Sequence, residues 1–303
     1  MLNEIINQAF EKGKIKALEG EVATYIPQLG KAEKSDLAIC VVERCENSIS
    51  IGQCDKRFTI QSISKVISFA AALEKLGAEK VFEKVGMEPS GDAFNSLMKL
   101  EKADSTPHNP MVNAGAMVIC GYLTQICSFD EMLNYAQKLC MDKDICIDDE
   151  VYNSEMSNLS RNRAIAYLLH SKGYISADVE KTLEFYVKMC SLSVNAKSLA
   201  NLSLVLACKG INPKTNQRLL SEKTVKIVNT VMFTCGMYDG AGEFALRVGL
   251  PSKSGVGGGI ISVVKGKMGI GIYGPALDKK GNSIAGIEML EYISQKLKLN
   301  MFE

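Results

Sequence analysis

Strand-forming sequence lies at both ends of this chain, with a long helical stretch between them. Leu37 to Val42 and Ser48 to Ile51 carry apolar and β-branched residues around a short turn at Glu46-Asn47. Near the other end, Val256 to Val264 and Met268 to Tyr273 flank the tight turn Lys265-Gly266-Lys267. From Ser62 to about Val248 almost every segment has helical period, punctuated by Asn109-Pro110, Asp149-Glu150, Gly173 and Gly210-Ile211-Asn212-Pro213. A helix opens the chain with Leu2, Ile5, Ile6, Ala9 and Phe10, and another closes it with Ile284, Ile287, Leu290, Ile293 and Leu297. Two separated sets of short strands are best joined in one antiparallel sheet built from both termini, with flanking helices plus an all-helical lobe. The expected fold class is therefore α+β, a single domain over residues 1–303. Its α/β lobe comprises 1–61 and 249–303 and its helical lobe 62–248. A small-molecule site belongs in the cleft between them.

Composition narrows the chemistry. Lys+Arg number 35 against Asp+Glu 34, a formal net charge of +1 without a basic block, so no nucleic acid is expected as partner. No apolar run reaches the length of a membrane span and no basic start leads into an apolar stretch, so no membrane is expected either and the expected location is cytoplasmic. The ten cysteines include no C-x-x-C pair, and the two histidines, His108 and His170, are not at ligand spacing, so no metal and no other cofactor is expected. The cysteines read as free thiols. With so little histidine, a catalytic base is more readily sought elsewhere.

One candidate is a lysine. In Phe58-Thr59-Ile60-Gln61-Ser62-Ile63-Ser64-Lys65 a strand-like run meets a helix start at Ser62, and Lys65 follows one turn later on the same face. A serine hydroxyl becomes nucleophilic when a base takes its proton, and a desolvated, neutral lysine serves. Between Ser62 and Leu73, Lys65 is the sole charged residue. The helix start also offers backbone N–H groups to an oxyanion. The plainer alternative is a serine N-cap with a solvated lysine. Ser96-Leu97-Met98-Lys99 and Ser262-Val263-Val264-Lys265 share the spacing, but the first lies in a helical pattern and the second in a strand.

A second element, Lys253-Ser254-Gly255-Val256-Gly257-Gly258-Gly259, enters the late hairpin. Its glycines admit a close backbone or substrate, or else mark a β-bulge. It is not a phosphate loop, because the lysine precedes the glycines and no helix follows. Gly269 and Gly271, alternating with Ile270 and Ile272, also suggest close packing. S-x-x-K opening a helix together with K-[ST]-G on a late strand is the paired signature of penicillin-recognising serine enzymes.

Longer motifs carry a more specific resemblance. Tyr25-Ile26-Pro27-Gln28-Leu29, Gln61-Ser62-Ile63-Ser64-Lys65, Asn109-Pro110-Met111-Val112-Asn113-Ala114-Gly115-Ala116, Ser154-Glu155, Arg161-Asn162, Gly236-Met237-Tyr238-Asp239-Gly240 and Lys253 to Gly259 resemble, in order and spacing, the serine-dependent glutaminase family. That resemblance implies a β-lactamase/penicillin-binding-protein-like fold and hydrolysis of L-glutamine to L-glutamate and ammonia. It also implies Ser62 as nucleophile, Lys65 as general base and Tyr238 as a proton relay. Tyr25, Asn113, Glu155, Asn162 and Tyr186 would hold the substrate, and the N–H groups of Ser62 and Val256 the oxyanion. A homo-oligomer, dimer or tetramer, is implied as well.

The residue chemistry agrees. Glutamine is a zwitterion, so a selective site needs a carboxylate for the α-ammonium, which Glu155 supplies, and donors for the α-carboxylate, which Asn113, Asn162 and the tyrosines supply. Glu155 and Asn162 lie two helical turns apart and are expected to project from one helix face. Asn109 reads as a helix N-cap ahead of Pro110. A penicillin-recognising serine hydrolase and a non-catalytic glutamine-binding sensor are the alternatives; the first acts outside the cytoplasmic membrane, and the second has no need of Ser62, Lys65 and Tyr238 together.

Overall fold

The computed structural model describes residues 2–45, 47–91 and 106–303, so Glu46 and the segment Ser96 to Lys99 lie outside the described residues. Its strands are β1 (Ala38–Glu43), β2 (Ser48–Gly52), β3 (Phe58–Thr59), β4 (Ser193–Val194), β5 (Ser252–Ser254), β6 (Gly259–Val264) and β7 (Met268–Tyr273). Helices α1 (Leu2–Ala17) and α2 (Ser64–Phe82) precede α3 (Asn113–Leu123), α4 (Phe129–Cys140), α5 (Asp149–Ser157), α6 (Ser160–Ser171) and α7 (Val179–Cys190). Helices α8 (Ala196–Ala207), α9 (Glu222–Cys235), α10 (Ala241–Arg247) and α11 (Ile284–Leu297) complete the set.

The two ends of the chain meet directly. The antiparallel sheet runs β2-β1-β7-β6-β5, and N-terminal β1 pairs with C-terminal β7, Ala38 opposite Tyr273 and Val42 opposite Gly269. Helices on both faces bury β6 and β7 completely. Ile39, Val41, Ile270 and Ile272 share one core with α1 and α11; Ala38, Cys40 and Val42 on the opposite face share another with α8 and the other helices.

Several expectations change in detail. The middle block is not wholly helical: β4 pairs with β3, Phe58 opposite Val194. Two residues between helices are too few to register as periodicity. Helix α8 falls within the stretch assigned to a separate helical lobe, yet it lies across β7, β6 and β1. Helical period reports which face is apolar, not which layer that face covers. Contact with α8 explains the glycines of β7: a Cβ on Gly271 would come within 2.1 Å of Ala196 O, and one on Gly269 within 2.2 Å of Ala200 O.

Strand β6 begins at Gly259 rather than at Val256, because residues 255–258 form a tight turn with Gly258 at φ +95°. Asn109 does not cap a helix; its Oδ1 accepts from the Met111 N–H at 2.9 Å and α3 starts only at Asn113.

Candidate active site

Ser62 sits in a single 3-10 turn, Gln61–Ile63, between β3 and α2. The helix therefore begins two residues later than the sequence suggests. Gln61, just before the serine, has φ 49°, a left-handed conformation unusual for a residue with a side chain. Such a turn lifts the next side chain out of both the strand and the helix.

Lys65, one turn on, is only 2% exposed. Its Nζ lies 3.0 Å from Ser62 Oγ and 2.7 Å from Asn113 Oδ1. Burial lowers its pKa to about 8, against the upward pull of Cys190 and Glu155. A lysine whose pKa burial brings towards neutrality thus rests against a serine hydroxyl. Asn113, the first residue of α3, in turn donates from Nδ2 to Asn162 Oδ1 at 3.2 Å.

On the other side of Ser62 stands Tyr238, again in the left-handed region at φ 54°. Its buried hydroxyl interacts with the Ser62 side chain and the backbone N–H of Val256; burial is the main reason its pKa lies far above the ordinary range. Val256 occupies the β5–β6 turn, so its N–H reaches the Tyr238 hydroxyl from the sheet while Lys65 reaches Ser62 from the helix.

Glu155 is 7% exposed, and burial pushes its carboxyl up to about 7, opposed by a hydrogen bond from Gln61 and by the Lys65 charge. Tyr186 is buried within electrostatic reach of Glu155 and Cys190. Tyr25 has 57% of its surface exposed, so it stands on the rim, while its hydroxyl end feels Tyr238 and Glu155. All nine residues singled out by the sequence are thereby linked into one constellation. The reason given for two of them fails: α5 ends at Ser157 and α6 starts at Ser160, so Glu155 and Asn162 come from different helices. Neither Gly nor Pro marks that break.

Sequence reasoning gave no task to three neighbours. Gln61 holds Glu155. Cys190 approaches Ser64 Oγ at 3.7 Å and acts on Lys65 and Tyr186; its four-residue spacing from Tyr186 on α7 was the available signal. Lys253, opening the K-S-G motif, is fully buried with Nζ 4.4 Å from the Tyr238 ring centroid. A cavity of about 410 Å3 also touches Tyr238, but its walls are Met111, Val112, Cys235 and their neighbours and exclude Ser62. The polar constellation, rather than that cavity, marks the chemistry. Among the described residues no three side chains cluster as a metal site, and no helix is long and apolar enough to cross a membrane.

An antiparallel sheet with flanking helices and a serine–lysine pair at its junction with them places the chain among proteins of the β-lactamase-like fold. The chain belongs to the glutaminase family: residues 20–302 match the family model described as Glutaminase. It is 51% identical over 287 residues to a glutaminase of Clostridioides difficile, covering 93% of each chain, and 45% identical over 306 residues to one of Clostridium tetani, covering 100% of each. Among solved structures it is similar to the probable glutaminase ybaS, with TM-score 0.94 at 37% identity over 100% of this chain and 98% of that one. It is also similar to the Bacillus subtilis glutaminase YbgJ in its covalent complex with 5-oxo-L-norleucine, formed from 6-diazo-5-oxo-L-norleucine; there the TM-score is 0.89 at 36% identity over 98% of each chain.

Proposed function

We propose that this protein hydrolyses L-glutamine to L-glutamate and ammonia through a γ-glutamyl ester on Ser62. The observation that carries the mechanism is the buried Lys65 amine, 3.0 Å from Ser62 Oγ with its pKa lowered to about 8. In the first half-reaction Lys65 Nζ takes the Ser62 proton as Oγ bonds to the side-chain amide carbon. The N–H groups of Ser62 and Val256 receive the oxyanion. Tyr238 passes a proton to the leaving nitrogen, the C–N bond breaks and ammonia departs. Water then adds to the ester, its proton returns through the same groups, and glutamate leaves with Ser62 restored. Glu155 pairs with the substrate ammonium, while Asn113, Asn162, Tyr25 and Tyr186 hold its carboxylate.

The glutaminase names of relatives spanning the whole chain support the substrate. The covalent 5-oxo-L-norleucine complex of the B. subtilis relative supports an acyl-enzyme route. The test is ammonia release from L-glutamine by wild type and Ser62→Ala, with 6-diazo-5-oxo-L-norleucine labelling followed by intact mass. Wild type is expected to turn over and take up the label, and folded Ser62→Ala to do neither. Turnover by Ser62→Ala overturns the mechanism; glutamine binding without turnover by wild type overturns the activity in favour of a sensor. Assembly as a homodimer or homotetramer in the cytoplasm extends this reading on the family resemblance alone. Light scattering tests the assembly, and a monomer would overturn that part.

A further inference from the structure

The turn Leu277 to Ser283 supplies no group to the reaction above, yet it lies directly behind two groups that take part. Leu277 shares a small apolar cluster with Tyr238 and Val256. Gly281 is at φ +91°, a conformation that favours glycine, and a Cβ there would stand 3.4 Å from Val256 Cγ1 and 3.6 Å from Tyr238 Cε2. The turn is closed on itself: Asp278 Oδ1 accepts from the N–H groups of Lys280 at 2.8 Å and Asn282 at 2.9 Å, and the Asp278 N–H donates to Asn282 O at 2.8 Å. Leu277 in turn exchanges both main-chain hydrogen bonds with Glu21.

Tyr238 needs a support of this kind. It opens a 3-10 turn, Tyr238–Gly240, at φ 54°, and a side chain stays in that left-handed region only where its neighbours hold it there. Asn282 reaches this turn. It is 1% exposed, and its Nδ2 donates to Met237 O at 3.4 Å. The same carbonyl accepts the Gly240 N–H at 3.0 Å, and a Cβ on Gly240 would lie 3.5 Å from Asn282 Nδ2. Asn282 Oδ1 has no partner among the described residues, so the nitrogen alone orients the amide. Met237 O belongs to the planar peptide that joins Met237 to Tyr238, and its direction is therefore coupled to the Tyr238 φ. Holding the carbonyl holds the tyrosine, whose hydroxyl meets Ser62 and the Val256 N–H.

We propose that Asn282 is a positioning residue for Tyr238: by holding Met237 O it fixes the left-handed peptide that keeps the Tyr238 hydroxyl beside Ser62, in place to protonate the leaving nitrogen. This inference rests on the reaction proposed above. It is tested by a double-mutant cycle of Asn282→Ala, Tyr238→Phe and the two together, with kcat and KM for L-glutamine read at high enzyme concentration and folding followed by circular dichroism and melting. Asn282→Ala is expected to lower kcat by about 10- to 100-fold, the cost of a displaced reacting group, with KM within about threefold of wild type. Tyr238→Phe is expected to lower kcat by at least about 100-fold. Adding Asn282→Ala to it then costs less than about twofold, because the hydroxyl it positions is already gone. A merely structural role predicts the same fold loss in both backgrounds; that result, or a kcat for Asn282→Ala within about twofold of wild type, overturns the proposal. Asn282→Asp keeps the shape but sets an oxygen against Met237 O, and is expected to give the same cycle. Equal losses in both backgrounds for the aspartate variant overturn the proposal even if the alanine variant does not fold. Wild-type-like kcat in Tyr238→Phe would refute the reaction itself. A large loss in Tyr238→Phe beside equal losses for Asn282→Ala refutes only the role given to Asn282.

Discussion

Replacing Glu155 by Gln separates two protonation events that the wild-type site superimposes. Glu155 is 7% exposed and its carboxyl titrates at about 7, so near neutral pH it is charged in only about half of the free molecules. In the proposed reaction the substrate presents an ammonium that pairs with that charge. Two unit charges about 4 Å apart attract by about 4 kcal/mol at an effective dielectric of about 20, equivalent to nearly 1000-fold in binding. Glutamine at this position keeps one acceptor and turns a donor towards the ammonium, so kcat/KM is expected to fall about 100- to 1000-fold, mostly through KM.

The pH profile sharpens the expectation. In the proposed reaction Glu155 acts as the carboxylate, so its contribution is expected to be lost as pH falls through about 7. In the same reaction Lys65 acts as the free amine, so its contribution is expected to be lost as pH falls through about 8. In wild type, log kcat/KM is therefore expected to climb with a slope approaching two on the acid side, to bend to one between the two values and to level above them. In Glu155→Gln the slope is one throughout. The remaining limb also drops below the wild-type value, because the Glu155 charge that raises the Lys65 pKa is gone. Initial ammonia release at low glutamine concentration, across the range, measures all of this. A variant that keeps the steeper slope, or a KM within about threefold of wild type, would refute both the ammonium contact and the assignment of the acid limb.

Lys65→Arg is expected to lose at least about 1000-fold in kcat at every pH, since arginine remains charged and cannot accept the Ser62 proton; wild-type-like turnover would remove Lys65 as base. Gly271→Ala tests the packing of α8 on the sheet, because its Cβ would stand 2.1 Å from Ala196 O and 2.4 Å from Ala200 N, both main chain. Overpacking of this kind costs about 1–3 kcal/mol, and in a chain of 303 residues it lowers the melting temperature by about 2–5 °C. Gly242→Ala, with nothing within 4 Å, is the control, and equal melting of the two variants would refute the contact.

What could be read beforehand follows from what periodicity encodes. The strand-forming runs at both ends were enough to predict one sheet built from both termini, and the pairing of β1 with β7 is how the structure joins them. The layer occupied by α8 was not legible, since its apolar stripe fits a helical neighbour as well as a sheet. Ser62 and Lys65 could be paired from the sequence because a separation of three residues places them one turn apart, although that turn proves to be 3-10 at Ser62 and α-helical only from Ser64. Glu155 and Asn162 were named by motif alone, and the geometric reason offered for them failed at Asn158-Leu159, where the helix breaks without a breaker residue. Lys253 was visible as part of a motif, but its seat on Tyr238 depends on two segments far apart in the chain.

The glycine-rich run Lys253 to Gly259 shows why such a motif stays ambiguous until its neighbour is known. Read as sequence, it admitted a substrate, a bulge or another backbone. The neighbour is the segment carrying Ser62: a Cβ on Gly257 would come within 2.6 Å of Thr59 O, one on Gly255 within 2.8 Å of Ile60 O, and one on Gly259 within 2.8 Å of the Ile63 side chain. These glycines let the β5–β6 turn lie directly against residues 59–63, which brings the Val256 N–H to the Tyr238 hydroxyl beside Ser62. Any side chain at Gly255 or Gly257 would wedge the turn away from the serine while leaving every reacting group intact. In the proposed reaction the lysine motif on the helix and the glycine motif on the strand are therefore two halves of one device, since the first would supply the base and the second removes the bulk that would keep the Val256 N–H away from the Tyr238 hydroxyl.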